Sequence, residues 1–339
     1  MSFRSITSII CLFALSFSAL ADQLIIEPDM GREPIVRAMN ETKYSLDLVM
    51  YGFTDPTLLD ALLKQQAKGR TVKVILEKYP YKAENENEKT IQQLNSHHIS
   101  WQGTPRAFRL THQKTLIVDD KKAIIMTFNF TRSAFKNDRN FAIVIDDPKR
   151  VNAIKSVFSA DWNQKPVVNS SSNLIFSPDD SRNQLLALIN QAKSSIKIYA
   201  QNISDYKIVG ALAKAARKGV KIDILTSSKL REKQADFLSR AGVNIHQSKA
   251  RYIHAKVMVI DNKKAVIGSI NLTRASLDDN RELSAVTDDP TVIKQLNEVF
   301  QNDWNAADKI AENDSKQDML DKRIIKQVIR SIDHFIKHL

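Results

Sequence analysis

Two short stretches of the chain carry the same three ionisable residues at the same spacing: "HQKTLIVD", from His112 to Asp119, and "HAKVMVID", from His254 to Asp261. Between lysine and aspartate each stretch is apolar with β-type side chains, so each reads as a strand. Residues two apart on a strand face the same side, so His112 points with Lys114 and His254 with Lys256. Asp119 and Asp261 fall at the far strand ends beside a turn, where a carboxylate braces structure more readily than it meets a ligand. One histidine–lysine pair is an ordinary solvated strand edge. Two, brought together by a pseudo-two-fold pairing, would supply two imidazoles and two ammonium groups to one cleft. That set suits an anionic ligand. A metal would want carboxylates or further imidazoles without ammonium charge beside them, so neither metal nor cofactor is expected.

The elements that must position these residues are themselves duplicated. "LIIEPDMGR" (24–32) aligns with "LIFSPDDSR" (174–182), and "NETKYSLDLVMYGFTD" (40–55) with "NQAKSSIKIYAQNISD" (190–205), at an offset of 150. From the histidine motifs onward the offset is 142: "NDRNFAIVIDDP" (137–148) faces "DNRELSAVTDDP" (279–290), and "FSADWN" (158–163) faces "FQNDWN" (300–305). Within each copy, β-rich runs alternate with helical ones. Asp55 caps a helix that has Pro56 at its first position and Gly69 past its end, and "KTLIVDDKKAIIMTF" and "KVMVIDNKKAVIGSI" read as strand pairs around a polar turn. The order predicts an α/β fold: two duplicated α/β/α lobes with mixed β-sheets, packed pseudo-two-fold around one cleft. The boundaries expected are 22–164 and 174–306 for the lobes, with 165–173 ("KPVVNSSSN") as linker. Trp162 and Trp304, at matching helical places, read as core.

Composition bounds the rest. With 43% apolar and 26% charged residues the 339-residue chain is globular and long enough for two cores. Residues 1–21 read as a signal peptide: Arg4, the apolar "IICLFALSF", then "ALAD" with an A-x-A site, which implies export to the periplasm or beyond. The single cysteine, Cys11, lies in that segment, so a mature chain has no disulfide and no thiolate chemistry. A net charge of +12 favours anionic partners, phospholipid surface or nucleic acid. Residues 307–339 form a predicted amphipathic helical extension. It either packs on the second lobe or lies on an anionic membrane.

The paired motifs resemble the phospholipase D superfamily, whose signature is H-x-K-x4-D followed by G-[ST]-x-N and, farther on, a glutamate. The second copy carries "GSIN" (Gly268, Ser269, Asn271) and Glu282, twenty-eight residues after His254. The first carries "MTFN" (Thr127, Asn129), with Met126 for the glycine and Asn140 at the glutamate position. The resemblance implies metal-free phosphodiester cleavage through a phosphohistidine, with His112, Lys114, Asp119, His254, Lys256, Asp261 and Glu282 as the catalytic set. Asn129, Asn271, Thr127 and Ser269 would hold substrate. In duplicated members the acid of one half braces the histidine of the other. On that pattern Glu282 orients His112 as nucleophile and raises its basicity, while His254, backed by a neutral amide, serves as general acid. The first substrate class is phospholipid, with head-group hydrolysis to phosphatidic acid and an alcohol. A secreted nuclease and a non-catalytic phosphate-binding module stand as alternatives. Trp101, Arg106, Phe108 and Arg109 before the first motif, with Lys249, Arg251 and Tyr252 before the second, could stack bases or receive a head group. One chain holds both motifs, so a monomer is expected.

Overall fold

The computed structural model describes residues 21–167, 173–227, 230 and 232–309. The segment before Ala21 expected to be a signal peptide, most of the expected linker and nearly all of the expected C-terminal extension lie outside the described residues.

Two mixed sheets are built in the same order. In the first, Gln23–Glu27 pairs with Asp138–Ile145, followed by Lys122–Met126, Thr115–Val118, Ser45–Met50, Thr71–Leu76 and Ser100–Gln102. In the second, Leu174–Ser177 pairs with Glu282–Thr287, followed by Lys264–Gly268, Lys256–Ile260, Ser195–Ala200, Lys221–Thr226 and Asn244–Gln247. Ser45–Met50 runs parallel to Thr71–Leu76, as Ser195–Ala200 does to Lys221–Thr226, and each pair is joined by a helix, Pro56–Ala67 or Tyr206–Arg217. Asp55 and Asp205 cap these helices, each accepting from two backbone N–H groups of the first turn.

The strands are buried on both faces, and alternate residues divide between two cores. Ile117, Ile125, Phe141 and Ile143 face inward and meet Val257, Val259, Ile267 and Leu283 of the other sheet, with Phe158 and Phe300 of the long helices Pro148–Trp162 and Pro290–Asn305. Leu46, Leu48, Leu116 and Ile124 face outward under the first lobe's helices, as Ile196, Ile198, Met258 and Val266 do in the second. The lobes thus share a hydrophobic centre.

Three features depart from the sequence reading. Tyr252–Ile253, from the second copy, pairs with Asp138 and Arg139 in the first sheet, so a motif segment crosses between lobes. The stretch expected to be helical from 307 starts with a two-residue strand, Asp308–Lys309, beside Asn244–Gln247. Trp162 and Trp304 are only partly buried at the edge of the shared core, where Trp304 stacks on His246 at 3.8 Å. A large indole closes the end of a helix without being fully enclosed.

Candidate active site

Each histidine segment is anchored on the opposite lobe. The backbone N–H groups of His112 and Gln113 donate to the Arg281 carbonyl, and those of His254 and Ala255 donate to the Arg139 carbonyl. The side chains of the same two arginines hold the lobes together. Arg139 makes a two-pronged ion pair with Asp303, and Arg281 with Asp161; both arginines are nearly fully buried. The next residue on each strand points the other way. Glu282 Oε2 lies 2.9 Å from His112 Nδ1, and Asn140 Oδ1 lies 3.0 Å from His254 Nδ1.

Lys114 and Lys256 stand beside these imidazoles, and each ammonium group donates to the carbonyl of its own histidine, two residues earlier. Both lysines are buried. Burial pulls Lys114 down to about 7, against the opposing charges of Glu282 and Glu86. Burial, then Lys114, holds Lys256 well below the ordinary lysine range. His254 is also pushed well down, by burial and then by Lys256, Lys114 and His112, which places all four bases in one electrostatic cluster. His112 is lowered too: burial outweighs the carboxylate of Glu282, so the sequence expectation of a raised basicity holds only relative to His254. Burial alone would raise Glu282, but His112 and then Lys114 keep it ionised.

The remaining sequence-selected residues divide. Asn129 lines the cleft, and its Oδ1 is 3.3 Å from the Gly52 N–H. Asn271 is nearly buried, with its Oδ1 unpartnered. Thr127 and Ser269, expected to hold substrate, are fully enclosed and engaged internally: Thr127 donates to Asn140 Oδ1 at 2.8 Å, and Ser269 brackets the backbone of Leu283. Asp119 and Asp261 stay out of the cluster. At φ of 54° and 53° they begin the turns after their strands and accept from the backbone N–H groups of residues 43–45 and 193–195. Gly268 is required by space, since a Cβ there would sit 2.3 Å from the Leu283 carbonyl.

Several residues at the site were not singled out from the sequence. Tyr51 sets its ring edge-on to His112 at 5.0 Å, with the Lys114 ammonium over its face. Glu77 accepts from the Thr111 N–H just before His112. Glu86 and Asp138 line a cleft of about 350 Å³ together with Asn129, Tyr252 and His254. The arginine–aspartate clamps did have a signal, since all four residues recur at the 142 offset. Phe108, a candidate stacking platform, instead packs 4.6 Å from the Arg281 guanidinium.

Chemically, the cluster is an anion site with two differently backed imidazoles. One is paired with a carboxylate and the other with an amide, so their proton affinities are pushed apart. Among the described residues no group of three or more His, Cys, Asp or Glu side chains is placed to hold a metal ion. None of the described helices is long and apolar enough to cross a membrane.

A family model described as "Cardiolipin synthase, PLD-like domain" matches the chain twice, over residues 35–162 and 185–304. Curated relatives include Cardiolipin synthase 2 of Staphylococcus epidermidis, 26% identical over 248 residues, covering 62% of this chain and 51% of that protein. Cardiolipin synthase B of Salmonella typhi is 24% identical over 274 residues, covering 68% and 64%. The chain therefore spans about half the length of the first relative and under two thirds of the second. Among solved structures, phosphatidylserine synthase of Haemophilus influenzae Rd KW20 has a TM-score of 0.65 at 12% identity, covering 86% of this chain and 87% of that one. Polyphosphate kinase of Porphyromonas gingivalis has a TM-score of 0.67 at 15% identity, covering 83% and 50%. These two likenesses are of fold.

Proposed function

The chain belongs to the phospholipase D superfamily, matched over both of its repeats, and from that premise we propose that it cleaves the head-group phosphodiester of phospholipids through a covalent adduct on His112. The observation that carries this reading is the reciprocal backing of the two imidazoles, His112 by Glu282 and His254 by Asn140, between two buried lysines.

With Nδ1–H donated to Glu282, His112 presents Nε2 to phosphorus. Attack forms the P–N bond and breaks the P–O bond to the head-group alcohol, which leaves with a proton from His254 Nε2. An incoming hydroxyl then gives its proton back to His254 as its oxygen displaces His112. Lys114, Lys256 and Asn129 offset the charge on the non-bridging oxygens. The entering phosphodiester is itself an anion, and it raises the proton affinity of His254 and both lysines at the moment of need. One chain supplies both histidines, so the monomer is the working unit of this proposal.

Phospholipid is preferred over nucleic acid because Glu86 and Asp138 line the cleft beside His254. Carboxylates there accept from hydroxyl or ammonium groups of a head group and repel the neighbouring phosphates of a polynucleotide. The same two residues favour an alcohol over water as the second acceptor, a reading supported by the likeness to proteins named as synthases. Hydrolysis, expected from the sequence, is then the competing outcome.

The test is an assay of the full chain on vesicles mixing phosphatidylglycerol and phosphatidylethanolamine, with glycerol present or absent, beside single- and double-stranded DNA. Chelator and a His112→Asn control run in every arm. Head-group release or exchange, with a radiolabelled phosphatidyl adduct that His112→Asn abolishes, supports the proposal. DNA cleavage without lipid turnover would replace it with the nuclease reading, and loss of activity in chelator would remove the metal-free mechanism.

A further inference from the structure

Positions 27 and 140 lie directly opposite each other in the ladder between Gln23–Glu27 and Asp138–Ile145. Their counterparts 177 and 282 are opposite each other between Leu174–Ser177 and Glu282–Thr287. In the second lobe the acid sits on the inner strand, as Glu282 facing Ser177. In the first it sits one strand over, as Glu27 facing Asn140. The two pairs exchange an acid for a small polar residue at equivalent places.

The surroundings follow the exchange. Around Glu282 the second lobe packs three hydroxyls. Ser177 donates to the Ser276 carbonyl, and Ser181 Oγ lies 3.3 Å from Ser177 Oγ. At the repeat offsets, Ser181 corresponds to Gly31 and Ser276 to Ala134. Ala134 leaves the first lobe without the hydroxyl that Ser276 sets against Glu282, while Gly31, at φ of 62° and with open space where a Cβ would stand, answers to its turn.

Glu27 is fully buried; the Gly31 N–H is the donor beside it, but neither carboxylate oxygen completes a well-formed hydrogen bond. Asn140 is fully buried too, and its Nδ2 has no partner, while its Oδ1 accepts from Thr127 and meets His254. Two directly opposed residues have Cβ atoms about 5 Å apart, within reach of one hydrogen bond between these side chains. Leaving a buried amide donor without a partner beside a carboxyl oxygen that could accept from it would cost more than the small rotation that joins them.

We propose that Glu27 is the first lobe's acid, displaced by one strand, and that it is a positioning residue for His254. Asn140 Nδ2 donates to a Glu27 oxygen, which fixes the amide so that Oδ1 accepts from His254 Nδ1–H. Nε2 is then left as the nitrogen that exchanges the proton with the alcohol. The inference rests on His254 being the proton-exchanging imidazole of the proposed reaction. Burial, resisted by the Gly31 N–H, Arg32 and Arg139 and reinforced by Asp29, pushes Glu27 up to about 8. At neutral pH its protonated form still offers a carbonyl oxygen to Asn140, so the positioning does not depend on its charge.

The test has a structural and a kinetic arm, both on the full chain. In ¹⁵N-histidine-labelled protein the imidazole ¹⁵N shifts report the tautomer. Wild type should show His254 as the Nδ1–H form. Glu27→Met, which removes the acceptor at similar volume, should mix the tautomers of His254 while His112, held by Glu282, keeps its own. Glu27→Gln, which retains an oxygen, should keep the wild-type pattern. In turnover, Glu27→Met should lower kcat by about ten-fold with KM unchanged, the lower end of the range for losing a group that orients a metal-bound histidine. The double variant Glu27→Ser/Asn140→Glu, which copies the second lobe, should recover most of it. A folded Glu27→Met protein with an unaltered His254 tautomer, or a double variant no better than Glu27→Met, overturns the inference. Absence of phosphodiester turnover in wild type would defeat the proposed reaction, and the spectra would still decide the coupling of Glu27 to His254.

Discussion

Binding of a phosphodiester should draw protons into the protein, and the amount follows from the buried lysines. Lys114 is pulled down to about 7 in the empty cleft, chiefly by burial, so at pH 8 about nine-tenths of it is neutral. A bound monoanion beside the ammonium restores its ordinary range, and that residue alone takes up about 0.9 proton. Lys256, held well below the ordinary lysine range by burial and then by Lys114, and His254, lowered by burial and the neighbouring bases, add to that uptake. The sign is fixed by linkage: a group whose proton affinity rises on binding makes binding tighter as pH falls. For Lys114 the dependence operates from the ordinary lysine range down through about 7, and it vanishes below that, where the free protein is already protonated. Affinity near pH 8 should then fall by at least about ten-fold per pH unit, from the proton that Lys114 takes up.

Dimethyl phosphate is a suitable probe because it keeps one negative charge throughout this range. Calorimetric titration in two buffers of different ionisation enthalpy gives the proton count directly. Lys114→Arg is the control: a guanidinium stays charged, so its share of the uptake should disappear. Equal enthalpies in both buffers, together with an affinity flat between pH 7 and 9, would mean that both ammonium groups are already charged in the empty cleft and that His254 gains no proton on binding. The neighbouring charges would then outweigh desolvation, and the order of proton affinities assigned to this cluster would be wrong.

Two further predictions concern the scaffold. Arg281→Met leaves Asp161 as a buried unpaired carboxylate and should cost about 3–5 kcal/mol in chemical denaturation, with Asp161→Asn in the same background recovering part of it; a loss under 1 kcal/mol would show that the clamp does not hold the lobes. Asp261 is held down at about 2, because the N–H groups of residues 193–195 overcome the effect of burial. Its stabilisation is therefore full above the ordinary aspartate range and lost as pH falls through about 2. Discounted for solvent screening, Asp261→Ala should lower stability at pH 7 by about 1–2 kcal/mol while leaving kcat unchanged, and a selective loss of kcat would move Asp261 into the reaction.

What the sequence made legible, and what it hid, has one physical cause. Strand and helix identity came from patterns within a few residues: the β-rich run before Asp119, the Asp55–Pro56 cap, the polar turns after each motif. The duplication extended those patterns to the second sheet with the same strand order. Periodicity, however, records only which face of an element a residue occupies, never what faces it. Glu27 and Asn140 are adjacent only through a ladder between strands 113 residues apart in sequence, and Phe108 met Arg281 where a base-stacking surface was expected. Thr127 and Ser269 show the same limit, since a hydroxyl in a signature motif is as able to hold a strand as a substrate.

The cross-lobe contacts show why the repeat had to be kept in register. On Asp138–Ile145 and on Glu282–Thr287 with the residue before it, one residue turns inward to the Arg–Asp clamp and the next turns to the other lobe's histidine. Docking the lobes and orienting the imidazoles are therefore a single event: Arg139 and Arg281 cannot reach Asp303 and Asp161 without carrying Asn140 to His254 and Glu282 to His112. A shift of one residue in either strand would put the arginine toward the histidine and the acid into the shared core. The two lobes can thus diverge in what backs each imidazole, glutamate in one and an amide in the other. They cannot diverge in the spacing that carries it there.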